Sequence, residues 1–334
     1  MLALLAKQKR NTKYLSPIIE RASFVDKLLT FSGSDKSQIF EKISNNKSYL
    51  KNDEVAQGIV PNPDVVNSRN KKILTNSSIQ IGEGVFVVDK DAFANCSEIE
   101  KKYIKPLYEP YQMKRFYLSS QNEKCILYIT KSNWRNDAPT LLTHLNRYKE
   151  IMLQRRENQN GRIDFMHLHW PRDERFFKRG EKILSVRKCV DAPIFVYCEQ
   201  PAYVMMAVNV IKSSRWNMRF LTGVLNSQLV AFWLRHKGKM QGNNYQVDKE
   251  PLQGIPLPVV DVSQQQPIIA LVDKILAAKK ADPQADTSAW EAEIDFLVYK
   301  LYGLSYDEVL VVDPGTGITR EEYERELNHK ERRE

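Results

Sequence analysis

A chain of 334 residues, 42% of them hydrophobic, is long enough for one large domain or two smaller ones with a real core. No apolar run approaches the roughly 20 residues needed to cross a bilayer. The opening Met1-Leu-Ala-Leu-Leu-Ala-Lys-Gln-Lys-Arg10 is too short for a secretory leader and carries its charges on the wrong side. A membrane protein is not expected, and four cysteines without a CxxC pair indicate neither a zinc knuckle nor a disulfide framework. A reducing, cytoplasmic setting is expected.

The net charge of +9 is unevenly spread. Residues 261–334 hold 9 Lys/Arg against 16 Asp/Glu, so residues 1–260 carry +16. The excess concentrates in two windows, 145–190 with 12 basic and 6 acidic side chains, and 212–249 with 7 and 1. A basic body with an acidic end suggests a polyanion-binding surface on one part of the molecule. Charge alone is equally compatible with a generically basic soluble protein.

Residues 1–50 are polar and helix-like, with Ser/Asn/Lys-rich breaks, and read as one or two short helices and a linker. From Val55 the texture changes to short alternating apolar runs between turn residues. Strands are expected at 79–88, 125–130, 182–186, 194–197 and 203–211, interrupted by helices over 141–156 and 221–236. The Pro-rich stretch 251–258 cannot be a helix or a central strand and reads as an extended exit from the β-rich body. Two helices follow, 267–280 and 290–302, the second capped by Thr287 or Ser288 and stopped at Gly303. A charged tail covers 313–334, and its part 319–334, charged on nearly every face, is expected to fray. The reading is an α+β protein: a mixed, β-rich body over 51–260 with interspersed helices, then an antiparallel helical pair over 261–312 acting as a spacer or docking element.

The search for chemistry returns little. The Pro-Pro-aromatic loop that grips a flipped adenine has only Asn62-Pro-Asp-Val65 as its nearest string, which lacks the second Pro and the ring. Gly82-Glu-Gly84 is a lone GxG inside an alternating run and reads as a turn. Asp64 with Glu100 and Lys102 fits, on spacing, a carboxylate–carboxylate–lysine set that holds Mg²⁺ in nucleases. In a chain with 27% charged residues that spacing also arises by chance. His167 and His169 would share a strand face as some metal pairs do; without a third ligand they read as hydrogen-bonding groups. No catalytic residue and no metal ligand is assigned.

Signals for nucleic acid are denser. Arg155-Arg-Glu-Asn-Gln-Asn-Gly-Arg162 closes a helix with Arg155, Arg156, Asn158, Asn160 and Arg162 around a glycine turn. Arg and Asn are the side chains whose paired donors and acceptors match guanine and adenine edges. His169, Trp170 and Arg172 follow, then Lys178, Arg187 and Lys188, basic groups interleaved with aromatic ones, a mixture suited to phosphate contact and stacking. The second candidate is the loop 236–246, where Lys237, Lys239, Gln241, Asn243 and Asn244 surround Gly238 and Gly242, whose backbone can approach a phosphate closely. The first group is expected to read bases, and the lysines of the second to meet the backbone.

The order of segments then becomes informative. Tyr203-Val-Met-Met-Ala-Val-Asn-Val-Ile211 is followed by Leu221-Thr-Gly-Val-Leu-Asn-Ser-Gln-Leu229, the Gly-rich loop, the Pro-rich exit and Ile294-Asp-Phe-Leu-Val-Tyr-Lys-Leu-Tyr-Gly-Leu304. Over roughly residues 55–310 this resembles the Taq-type C-terminal specificity domain of type IIG restriction–modification proteins, the Eco57I-like class, and is similar to type I specificity subunits. The resemblance implies a module that reads double-stranded DNA and positions a separate portion. That portion would methylate adenine at N6 with S-adenosylmethionine and cleave with Mg²⁺. Because the flipped-base loop and the methyl-donor motif are missing, the chain reads as a C-terminal fragment, a truncated reading frame or a separate recognition subunit, binding neither cofactor itself. A stand-alone Mg²⁺ nuclease using Asp64, Glu100 and Lys102, and a protein-binding scaffold, are the rival readings.

Overall fold

The computed structural model describes residues 34–45 and 47–331. The helices expected before residue 34 lie outside the described residues. The α+β expectation holds. Long apolar runs become strands covered on both faces, as a buried sheet requires. Lys182–Val186, Phe195–Cys198 and Val208–Ile211 are buried throughout. They join Val55–Gln57 in a central antiparallel sheet of order Val55–Gln57, Val208–Ile211, Lys182–Val186, Phe195–Cys198. A second sheet joins Val87–Asp89, Lys124–Leu127, Ile104–Tyr108 and Tyr203–Val204, the last pair parallel.

Several expected elements are shorter than their apolar patterns suggested. The run 79–88 is strand only from Val87, because Gly82 turns the chain at φ +89° and any Cβ on Gly84 would lie 2.2 Å from the Val87 carbonyl. The helix over 221–236 is two helices, Met218–Leu225 and Gln228–Lys237. Asn226 breaks it by turning its amide to the Phe195 backbone (2.8 and 3.2 Å), and Ser227 caps the new start. The helix over 141–156 is likewise Pro139–Asn146, Lys149–Leu153 and the short Arg156–Gln159.

The helical pair, Val262–Ala281 and Ser288–Leu301, lies against Met218–Leu225. Gly223 permits the close approach, since a Cβ there would stand 2.5 Å from an Ile268 methyl. The helix Ser34–Ser44 stacks Phe40 on Phe232 (ring centroids 5.5 Å apart), and Lys47–Ser48 pairs with Leu257–Pro258. The start of the tail expected to fray is anchored instead. Arg320–Glu331 is a helix held by Tyr323, which is fully buried against Phe296 and donates to the Leu304 carbonyl at 2.9 Å. One buried aromatic outweighs a charged sequence pattern. Among the described residues no helix is long and apolar enough to cross a membrane.

Asp295 ties the pair to the body, accepting from the Gln228 amide at 2.7 Å at the start of Gln228–Lys237. Burial pushes its carboxyl up to about 7, with Asp313 and Glu291 adding to the rise while the Gln228 bond and Arg115 oppose it. A folded-state value above the ordinary 3.8 means that the folded state holds this proton more tightly. The stability it contributes is full below pH 4 and falls as pH rises to about 7. Asp295→Asn keeps an acceptor for Gln228 and should abolish this part of the pH dependence. Urea midpoints of the two proteins between pH 4.5 and 8 should diverge progressively, with the variant relatively more stable at high pH. Parallel curves would refute the assignment.

Candidate nucleic-acid interface

The loop expected over 236–246 is a hairpin. Lys239–Gln241 and Asn244–Gln246 pair antiparallel across a two-residue turn with Gly242 at φ +59°, and Lys188–Val190 adds a third strand. Glycine suits the first position of such a turn because it adopts positive φ without strain. Side chains alternate across a strand, so each cross-strand row has one face. Met240, Tyr245 and Cys189 point inward, the last two fully buried. The opposite face carries Lys239, Gln246 and Lys188 in one row and Gln241, Asn244 and Val190 in the next. All except the half-buried Gln246 are exposed. A solvent face of cations and amides backed by a packed face is suited to a polyanion with readable edges.

The base of this ribbon is pinned by Arg187. Its Nε and Nη2 donate to Asp248 Oδ1 at 3.0 and 2.6 Å, and its Nη1 to the Met206 carbonyl at 2.8 Å. From there basic and aromatic residues follow the edge strand Val55–Gln57 from Asn52 to Gly58. Lys249 follows Asp248 and donates to the Asn52 carbonyl (3.0 Å); burial and then the charge of Arg172 hold its ammonium below the usual lysine range. Arg172 bonds the Gly58 carbonyl and Gln57 (3.2 and 3.3 Å) and lies over Trp170, 5.4 Å from the ring centroid. Trp170, 47% exposed, packs against His169, whose Nδ1 is 3.2 Å from Glu157. Glu157 belongs to the short helix Arg156–Gln159, beside which Arg156, Asn160 and Arg162 are exposed. Segments widely separated in sequence thus form one arc.

Not every expected contact residue lies on it. Arg155 is corrected: only 5% exposed, its guanidinium faces inward and donates to the carbonyls of Met152, His167, Phe165 and Asp164 between 2.8 and 3.2 Å, and more weakly to Asn62. Burial lowers it to about 10. Its directional donors organise the loop that presents Trp170 and leave none of the guanidinium for an external ligand. Asn158 likewise holds the Ile163 carbonyl at 3.0 Å. Arg187 is held at the ribbon's base by Asp248, which makes it a positioning residue. Lys178 pairs with Glu174 near Gly180 and Lys182, at the far end of the central sheet from Arg187. Lys237 lies over Phe40 on the helix Ser34–Ser44 (4.7 Å), away from the ribbon row. Lys249 and Gln246, by contrast, were missed. For Gln246 the polar–apolar–polar order of Asn244, Tyr245 and Gln246 was a signal, though too short to mark a strand by itself, and for Lys249 there was none.

The set expected for a nuclease is not assembled. Glu100 is buried and capped by Ser97 and Thr140, Lys102 pairs with Asp137, and Asp64 is exposed and bonds the Val65 amide. Among the described residues no cluster of three or more His, Cys, Asp or Glu could hold a metal.

Parts of the chain and its fold are matched among known proteins. Residues 127–257 match the family profile of the TaqI-like C-terminal specificity domain, the family that the order of segments resembles. The chain is 25% identical over 136 residues to the type II methyltransferase M.HincII of Haemophilus influenzae, covering 37% of this chain and 26% of that protein. It is 25% identical over 168 residues to the type II methyltransferase M.HindII of the same species, covering 46% and 30%. Its fold superposes on the type IIL restriction-modification enzyme MmeI, solved in complex with DNA, with a TM-score of 0.55 at 13% identity, covering 84% of this chain and 36% of that one. The chain spans 26% and 30% of the length of the two methyltransferases.

Replacing Arg155 separates its two conceivable roles. Arg155→Ala leaves several carbonyls without donors and should lower stability by on the order of 3 kcal/mol. Read by denaturation, a cost below about 1 kcal/mol would show that the buried network is not structural.

Proposed function

We propose that this chain is a sequence-specific recognition module for double-stranded DNA, working within a restriction–modification system. The observation that carries it is the ribbon face: cations and amides, all exposed but the half-buried Gln246, on one side of a three-stranded sheet whose other side is core. The major groove, about 12 Å wide, admits such a ribbon, and amides and cations are the groups that match its edges. The arc through Lys249, Arg172 and Trp170 to Arg156 and Arg162 would follow the phosphate backbone and fix register. The family match supports the same reading.

Chemistry would belong to a separate portion. A methyltransferase and endonuclease unit, positioned by this module, would extrude the target adenine and methylate it at N6 using S-adenosylmethionine, with Mg²⁺ serving cleavage. In this reading the module's part is to bind, orient and select. A cytoplasmic location accords with that role.

Two outcomes are expected of the purified chain. Arg156, Arg162, Arg172, Lys188, Lys239 and Lys249 offer at least five phosphate contacts, so the log–log slope of affinity against salt should be about −4 or steeper. Fluorescence anisotropy on a labelled duplex measures it, and a flat titration would end the DNA reading. Transfer of labelled methyl groups from S-adenosylmethionine to plasmid DNA should stay at the level of heat-killed protein; incorporation above that level would show that the chain is itself catalytic.

A further inference from the structure

Within the ribbon face one residue has its polar atoms already oriented. Gln246 Nε2 donates to Asp248 Oδ2 at 3.1 Å, while Asp248 Oδ1 is gripped twice by Arg187, at 3.0 and 2.6 Å. Arg187 is itself tied to the Met206 carbonyl, and its backbone carbonyl accepts from Val247 at 2.8 Å. A glutamine on an open strand face ordinarily rotates among several amide orientations, and that freedom is lost on binding. Here the amide is held before any ligand arrives. One N–H is used internally, which leaves Oε1 and the second N–H for a partner.

An acceptor and a donor side by side on one planar amide match adenine, which presents the N6 donor beside the N7 acceptor in the major groove. The flanking residues fit the same placement. Lys239, Gln246 and Lys188 stand in one cross-strand row, and two strand spacings separate the lysines by about 10 Å. That is close to the groove width of about 12 Å, so each ammonium can reach one phosphate rail while the amide meets a base edge between them. The weak exposed pair of Lys239 with Glu250, at 3.3 Å, costs little to exchange for a phosphate.

We propose that Gln246 is an adenine-reading residue of this interface, held in register by Asp248 and Arg187 and straddled by two phosphate-binding lysines. The proposal rests on the DNA-recognition reading above and adds to it a base and a residue. Asp248 and Arg187 are positioning residues in it.

The test is selection from a randomised duplex pool by the full chain, followed by affinity measurement on the selected and on a scrambled duplex. The wild type should select a site containing adenine at one position that Gln246→Ala no longer specifies, with a loss of about tenfold to a hundredfold on the selected duplex and little on the scrambled one. Retained scrambled binding with an unchanged salt slope also shows that the variant is folded. Asp248→Asn supplies the second readout. Its Oδ1 still serves Arg187, but an Nδ2 now faces Gln246, whose amide turns over and presents two N–H donors to the groove. Guanine, with acceptors at N7 and O6, should replace adenine at that position. A merely structural Asp248 would change affinity or stability and leave base preference alone. If both variants select the wild-type site, the assignment of Gln246 is overturned while the recognition function stands. If the wild type selects no sequence at all, both fall.

Discussion

The antiparallel pairing of Asn244–Gln246 with Lys188–Val190 is the contact on which the proposed recognition surface depends. The strand Lys182–Val186 is buried on both faces in the central sheet, and the chain passes directly from it, through Arg187, into the ribbon. Two further bonds lock the junction. Val247 donates to the Arg187 carbonyl at 2.8 Å, and the buried Asn209 amide donates to the Val247 carbonyl at 2.9 Å. A hairpin alone in water is marginal. This one inherits its position from strands buried throughout, so its exposed face is preorganised with respect to everything the sheet supports.

Much of this was legible in the sequence, and the failures have identifiable causes. The strand 182–186 emerged with its boundaries intact because a continuous apolar run has one comfortable environment, a sheet covered on both sides. The helix over 221–236 was read through its break at Asn226. Apolar periodicity carries no information about an amide that finds its partner at Phe195, 31 residues away. The hairpin was taken for a loop because three-residue strands barely establish an alternation, and the strand that completes it comes from residues 188–190. At Arg155 the chemistry of the side chain was legible and its direction was not. Four of the five carbonyls that it satisfies belong to residues 62, 164, 165 and 167, and only the fold brings those together.

The charge asymmetry also acquires a structural meaning. Acidic residues are matched largely with basic side chains outside the arc: Arg219 with Glu181, Glu199 and Asp273, Arg115 with Glu291, and Lys42 with Glu308. Such partly exposed pairs contribute little to stability individually. Their larger effect is on the field, since they neutralise cations that would otherwise draw a polyanion to the wrong side of the molecule. On the arc itself the cations Arg156, Arg162 and Lys188 stand exposed.

A surface built this way separates what holds the fold from what faces a ligand. In the ribbon, backbone ladder bonds and the inward row of Met240, Tyr245 and Cys189 fix the geometry, and neither depends on the identity of the outward side chains. Gln241, Asn244 and Val190 can therefore change with little effect on packing, because substitutions at exposed positions rarely move stability by more than about 0.5 kcal/mol. The row nearest the junction is different. Gln246 shares Asp248 with Arg187, and Arg187 is part of the seam between ribbon and sheet. A new side chain at 246 must either satisfy Asp248 or leave that carboxylate to Arg187 alone. Variation should thus be easiest at the tip of the ribbon and most constrained at its base, where contact with a ligand and attachment to the core pass through the same carboxylate.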